Sequence, residues 1–228
     1  MRHLEALGIA ETLKEEHAKF AHAIDAAVAL LDDAEKLFRD EDLTKWSPSV
    51  QTAEGDSVFT KTFPDGKYFA AKITADLEAT ELVEDAWIGV ENIPLWNKQI
   101  QYSSYVVKLS EYVDIIAYGS SGIAMVSTRD FVVLRVRRPL PGGGWLVAQR
   151  SIEVADVPEK KGVVRGNLHI TAAHFVPHSD AKKTVVTAFT RLDLGGYLPN
   201  FIVNKVIPQI IINETEQNKQ HWREIAAK

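Results

Sequence analysis

The stretch "MVSTRDFVVLRVRR", residues 125–138, predicts a β-strand because β-branched and aromatic residues dominate it. Side chains two residues apart on a strand share a face, so Phe131, Val133 and Arg135 point to the same side. Phe131 and Val133 are typical core residues, whereas the Arg135 guanidinium keeps its charge. A buried guanidinium must be paired or hydrogen-bonded. The pattern therefore leaves two interpretations: Arg135 reaches solvent with the neighbouring Arg137, or it points into an internal polar site.

The pattern outside this strand predicts an α+β fold. Apolar residues recur at helical spacings in residues 3–40, 79–100 and 198–227. Residues 46–77 predict two strands joined by a Pro-Asp-Gly turn. Further strands are predicted, with turn-forming segments between them, at residues 102–118, 130–138, 145–154, 162–176 and 184–194. Strands joined by short turns form antiparallel sheet, and the C-terminal helix would cover one of its faces.

Prolines mark three positions in the predicted helices. Pro94 interrupts the second helical segment, and Pro199 suits the first turn of the C-terminal one. Pro208 falls inside the apolar stripe of that last helix, where the missing N–H should kink it.

Composition predicts an ordinary soluble protein. Apolar residues make up 46% of the 228 positions and charged residues 25%, with a net charge of −5. This balance argues against a dedicated nucleic-acid binder. Cys is absent, which suits a reducing compartment, and no run is apolar enough for a signal peptide or a transmembrane helix. We therefore expect a cytoplasmic protein.

The sequence contains no recognisable catalytic or metal-binding motif. His169, His174 and His178 have spacings of five and four, which put neighbours on opposite faces of a strand. Ser127 and Ser151 lack the G-x-S-x-G context of a hydrolase nucleophile, and no phosphate-binding loop occurs. We expect no catalytic residue, no metal and no cofactor.

Four ordered stretches resemble the StAR-related lipid-transfer (START) domain family, nearest its sterol-binding branch. They are "IPLWNK" (93–98), "VSTRDFVVLR" (126–135), "GVVRG" (162–166) and "RLDLGGYLPNFIVNKVIPQ" (191–209). The resemblance implies a helix-grip fold, in which a curved antiparallel sheet wraps around a long C-terminal helix and encloses a lipid tunnel. It implies one START-type domain over residues 1–228, with an N-terminal helical segment (1–40) and a C-terminal lid helix (198–228).

The resemblance also implies that Arg135 points into the tunnel and pairs with an acidic residue on the neighbouring strand. The expected acidic position holds Ile116, and the nearest carboxylate is Asp114, on the same face. A tunnel position that is His in a sterol-binding member is Leu168. Either Asp114 replaces the usual partner, or Arg135 awaits an anion carried by the ligand.

Apolar walls should supply the affinity for a lipid. We expect them to include Phe131 and Val133 of the arginine-bearing strand and Val203, Ile207 and Ile211 of the lid helix. The Gly- and Ser-containing loop 119–128 would close the tunnel mouth.

These observations predict a monomeric carrier that binds one hydrophobic lipid, a sterol or another apolar lipid, and transfers it within the cell after transient contact with a membrane surface. The alternatives are a fatty-acid or phospholipid carrier, a lipid sensor that recruits a protein partner, and a helix-grip enzyme acting on an apolar substrate.

Overall fold

Ten strands of the chain form one sheet that has helices on both faces. The computed structural model describes residues 13–122, 127–180, 182–196, 198–199 and 201–227. The strands are β1 (Ser47–Gln51), β2 (Ser57–Phe63), β3 (Gly66–Ala75), β4 (Ile100–Lys108), β5 (Val113–Ser120), β6 (Arg129–Leu140), β7 (Gly144–Ser151), β8 (Val164–Arg165), β9 (Asn167–Pro177) and β10 (Thr184–Asp193). The α-helices are α1 (Ala21–Asp40), α2 (Ala79–Ile88), α3 (Ile93–Trp96) and α4 (Ile207–Ala226).

The sheet is open and its strands follow the order β1-β2-β3-β10-β9-β7-β6-β5-β4. Neighbours along this order are antiparallel, and the short β8 pairs in parallel with β6. The predicted α+β helix-grip fold is confirmed.

Helix α1 covers the outer face of the sheet. It contacts β6, β7 and β9, and its buried Ala27 and Leu30 belong to the same apolar cluster as Val132 and Leu134 of β6. Phe131 and Val133 are buried on the opposite face of β6. Because this strand is covered on both sides, it reads as a continuous apolar run rather than an alternating one.

Helix α4 lies across the inner face and contacts β1, β2 and β3. The ammonium of Lys219 joins it to the sheet, with Nζ 2.5 Å from Asp56 and 2.7 Å from Glu54. On the other side, His221 of α4 lies 3.1 Å from the carboxylate of Asp85 in α2. These pairs hold α4 between the first three strands and α2, which itself contacts β7 and β9.

Two predicted strands are each divided in the structure. Residues 102–118 were expected to form one strand but form the β4–β5 hairpin, where the Ser110 hydroxyl accepts hydrogen bonds from the backbone N–H groups of Tyr112 and Val113. Residues 162–176 divide into β8 and β9 at Gly166, where a Cβ would lie 2.3 Å from the Phe131 ring. The turn that Ser110 makes, without Gly or Pro, leaves little trace in the hydropathy pattern of the sequence. The same is true of the close contact between Gly166 and the Phe131 ring.

The edge strand β1 adds a third strand to a region predicted to hold two. Its residues are mostly exposed, and Pro48 has no N–H to donate, so the segment lacks the alternation of a half-buried strand. Pairing with β2 is irregular between Pro48 and Val50. The opposite edge strand, β4, has two such irregularities in its pairing with β5.

Two prolines mark changes in the helices. Pro94 lies in the first turn of the short helix α3 instead of interrupting a longer one, and residue 100 already starts β4. Pro208 follows directly on a π-helical turn at Ile202–Val206, in which the N–H of Ile207 donates to the carbonyl of Ile202. Pro208 thus lies inside a continuous helix, at the point where the hydrogen bonding changes from π-helical to α-helical. The predicted helix at residues 3–40 is α1 preceded by a 3₁₀ turn (Glu15–Phe20), and residues 1–12 lie outside the described residues.

Candidate functional site

A cavity of about 520 Å³ lies between the inner face of the sheet and α4. Apolar side chains from every long element around it form most of the lining, which includes Ile73, Leu82, Ile116, Phe131, Leu168, Val186, Leu192, Ile207, Ile211 and Trp222. The volume falls within the range of small-molecule and lipid pockets, roughly 300–1,000 Å³. Such a lining favours an apolar ligand.

Arg135 and Asp114 form a buried ion pair in the cavity wall. The two residues are direct partners in the regular β5–β6 pairing. Nε of Arg135 donates to one carboxylate oxygen of Asp114 at 2.8 Å, and Nη2 donates to the other at 2.7 Å. Asp114 is 1% exposed and Arg135 is 6% exposed. The question left open by the sequence is answered, because Asp114 is the carboxylate partner of Arg135.

The remaining contacts of Arg135 go to the end of α2. Its Nη1 donates to the Ala86 carbonyl at 3.1 Å, and its Nη2 donates to the Trp87 carbonyl at 3.0 Å. The guanidinium carbon lies 4.3 Å from the centre of the Trp87 ring. A cation at the last turn of a helix satisfies carbonyls that have no partner in the helix. The pair is therefore neutral overall and almost fully hydrogen-bonded.

Of the nine predicted ligand-binding residues, six line the cavity and three do not. Six line the cavity: Ile116, Phe131, Arg135, Leu168, Ile207 and Ile211. Asp114 holds Arg135 without being part of the lining. Val133 is fully buried and packs with Ile116 and Phe131. Val203 lies half-buried in the π-helical turn and is not part of the lining.

Glu214 is a cavity residue that the sequence analysis missed. It lies on the same face of α4 as Ile207 and Ile211, because positions i, i+4 and i+7 of a helix align. It makes no hydrogen bond or ion pair with any other residue that the structure describes. Burial raises the pKa of its carboxyl from 4.5 to about 7. The accessible part of Glu214 lines the cavity, whose wall is mostly apolar, so the carboxyl is poorly hydrated. The i+7 position in the apolar stripe was the available signal.

Arg129 links the loop after β5 to the segment after β10. Its guanidinium donates to the carbonyl and the hydroxyl of Ser127, and to the carbonyls of Leu194 and Gly195. It is 5% exposed, lines the cavity and has no carboxylate partner within the described part of the chain. Burial lowers its pKa. The loop expected to close the tunnel is thus hydrogen-bonded, through Arg129, to the segment that precedes the C-terminal helix. Residues 123–126 of this loop lie outside the described residues.

Two features are absent from the residues with a described structure. No helix there is long and apolar enough to cross a membrane. No group of three or more His, Cys, Asp or Glu side chains there is arranged to hold a metal ion. Of the three histidines considered above, His174 stacks on the ring of Phe38 at 3.4 Å.

We predict strong energetic coupling between Asp114 and Arg135. Asp114→Asn and Arg135→Leu should each lower the free energy of unfolding by about 3–5 kcal/mol. Each substitution leaves the other member of the pair as an uncompensated buried charge. The double variant should recover about 1–3 kcal/mol of the summed loss. Urea unfolding of the four proteins measures this coupling.

The exposed pair Asp180 and Lys183, 3.5 Å apart, is the matched control, and its cycle should give less than about 0.5 kcal/mol. Additive effects at Asp114 and Arg135 would contradict the pairing.

Glu214 should make the stability of the fold depend on pH. Its pKa is about 7 in the folded state against 4.5 ordinarily, so between these values the folded chain binds more protons than the unfolded chain. The stability that Glu214 contributes through this pKa difference is fully present below pH 4.5 and is lost as pH rises through about 7. The loss is at most about 3 kcal/mol. Glu214→Gln should therefore be more stable than the natural chain at about pH 8 and gain little at about pH 4.

The exposed Glu216 on the same helix supplies the control, because Glu216→Gln is a surface substitution that should change stability by less than about 0.5 kcal/mol. If Glu214→Gln keeps the profile of the natural chain in urea unfolding, the carboxyl is ionised normally and the prediction is wrong.

Comparison with known proteins agrees with this architecture. The START domain model matches residues 29–228. Steroidogenic acute regulatory-like protein 1 of Caenorhabditis elegans is 32% identical over 225 residues, which cover 96% of this chain and 86% of that protein. The mitochondrial steroidogenic acute regulatory protein of Equus caballus is 30% identical over 169 residues, which cover 72% of this chain but 59% of that protein.

A solved structure, human StAR-related lipid transfer protein 5, superposes with a TM-score of 0.80 at 19% identity, over 91% of this chain and 99% of that one. At this identity the likeness concerns the fold alone. With the family model covering the chain from within α1 to its last residue, the chain belongs to the START domain family.

Proposed function

We propose that the protein binds one molecule of an uncharged, largely apolar lipid in the cavity and transfers it between membranes. The observation that carries this proposal is the apolar cavity of about 520 Å³ between the sheet and α4. The names of its relatives, steroidogenic acute regulatory-like protein and StAR-related lipid transfer protein, support the same class of ligand. A sterol or a lipid of similar size suits the volume.

Burial of hydrocarbon supplies the affinity. Each CH₂ group removed from water contributes about 0.8 kcal/mol, so a lipid of some twenty carbons gains enough to leave a bilayer. Arg135 does not require an anionic ligand, because Asp114 already balances its charge at 2.7 Å. One of its five N–H groups is not used in the contacts described above, so it can orient a hydroxyl at this end of the cavity.

Arg129 favours a second candidate, a fatty acid or another anionic lipid. Its buried guanidinium lines the cavity and contacts only uncharged oxygens among the described residues. A carboxylate or phosphate there would balance the charge. An enzyme acting on an apolar substrate remains a further alternative, in which a lipid supplied to the protein would be recovered chemically changed.

Native mass spectrometry tests the proposal with a panel of a sterol, a carotenoid, a fatty acid and a phospholipid. We expect one uncharged lipid per chain, released with its mass unchanged. Preferential binding of the fatty acid or phospholipid would favour the anionic alternative, and an altered mass would favour the enzyme. If no member of the panel binds, the carrier proposal is wrong.

Exposed apolar residues beside the cavity should promote transfer. Leu95 of α3 is 83% exposed between the lining residues Ile93 and Trp96, and Phe201 is 49% exposed beside the lining residue Ile202. Leu95→Gln combined with Phe201→Gln should slow lipid transfer between vesicles several-fold, since less apolar surface enters the bilayer, without changing affinity.

The control is Val176→Gln. Val176 is 46% exposed, but it follows the lining residue Phe175 on a strand and therefore points to the opposite face. A transfer rate that Val176→Gln lowers as much as the double variant does would contradict a specific membrane-contact surface.

A further inference from the structure

Polar side chains without partners occupy one region of the cavity wall. Ser103 of β4 and Tyr118 of β5 are direct partners across the strand pair and both line the cavity. Ser103 is only 8% exposed, and its hydroxyl has no hydrogen-bond partner within the described residues. The buried Oε1 of Gln99, just before β4, is likewise without a partner there. Leaving a buried polar group unpaired costs about 1–3 kcal/mol.

Glu214 of α4 lines the same cavity. Its carboxyl and the Tyr118 hydroxyl make no hydrogen bond or ion pair with other described residues. Burial and, second, the charge of the Glu214 carboxyl raise the pKa of the Tyr118 phenol. Side chains from β4, β5 and α4 therefore line one cavity with polar atoms available to a bound molecule.

This region is separate from the Arg135–Asp114 pair. Asp114 and Tyr118 point to the same side of β5 and lie four residues apart, which corresponds to about 13 Å along the strand. We infer that Glu214, Tyr118 and Ser103 form a second polar subsite, which hydrogen-bonds a hydroxyl group at the end of the lipid opposite to the end near Arg135. This inference rests on the proposed function and narrows its ligand to apolar lipids with a hydroxyl group at each end.

The chemistry of the subsite favours a hydroxyl. A hydroxyl both donates and accepts, so it can donate to the Glu214 carboxylate while it accepts from Tyr118 or Ser103. An anionic group would meet the Glu214 carboxyl, and Arg129, the lining cation at this end of β6, already donates to carbonyl and hydroxyl oxygens. The other charged groups that line the cavity have partners of their own: Asp85 binds His221, Arg135 binds Asp114, and Arg129 binds carbonyl and hydroxyl oxygens.

The test compares cholesterol with a cholesterol hydroxylated at the end of its side chain. The natural chain should bind the dihydroxy sterol about tenfold more tightly, the gain of roughly one hydrogen bond to a charged or polar group in a dry site. Glu214→Leu should abolish the preference, and Ser103→Ala should reduce it. Glu216→Leu, which changes an exposed residue of α4 outside the lining, should leave the preference intact.

A second readout is the effect of pH on cholesterol affinity. Cholesterol has no hydroxyl at this end, so it covers Glu214, whose pKa is about 7, with hydrocarbon and favours the uncharged carboxyl. Affinity of the natural chain should therefore increase as pH falls from about 8 to about 6, and Glu214→Gln should remove this dependence. A merely structural glutamate would not couple affinity to pH in this way.

The outcomes separate this inference from the proposed function. If both sterols bind equally to the natural chain and to Glu214→Leu, the subsite is wrong and lipid binding stands. The same holds if neither sterol binds while another lipid of the panel does. If no lipid binds at all, both proposals are wrong.

Discussion

The Arg135 guanidinium joins three parts of the fold at one point. It belongs to β6, pairs with Asp114 of β5 at 2.7 Å, and donates to the carbonyls of Ala86 and Trp87 at the end of α2. A charge in an apolar wall is tolerated only when it is matched and hydrogen-bonded, and this arrangement meets both conditions. The same contacts fix where α2 ends relative to the sheet, and hence one wall of the cavity.

The cavity combines this satisfied pair with groups that lack partners. Desolvation disfavours a charge on Glu214, whereas the carboxylate of Asp114 is held beside a cation. The two carboxyl groups therefore differ in role because of their surroundings: one stabilises the wall, and the other is available to a ligand.

Much of the fold could be predicted from the sequence because the burial of most elements matches their pattern. The double-sided burial of β6 produced its continuous apolar run, and the Pro-Asp-Gly turn marked the β2–β3 hairpin. Strand β1 was missed because an exposed edge strand does not alternate, and the β4–β5 hairpin because Ser110 makes its turn without Gly or Pro.

The site was only partly predictable for a related reason. Whether Asp114 faces Arg135 depends on the register of two strands, which no local pattern determines. Glu214 and Arg129 acquire their character from burial by distant segments: Glu214 from the closing of α4 on the sheet, and Arg129 from Leu194 and Gly195, 65 and 66 residues away. A solvent-exposed Glu on a helix would look the same in the sequence.

The open sheet has a consequence for association between copies of the chain. Its two edge strands present unpaired backbone groups, and a straight edge would pair with the edge of a second copy. Pro48 removes a donor from β1, and irregular pairing disturbs β1 once and β4 twice. Both edges are thus poor templates for intermolecular pairing. The ten described strands can therefore remain an open sheet, without closing into a barrel, while copies of the chain avoid joining edge to edge.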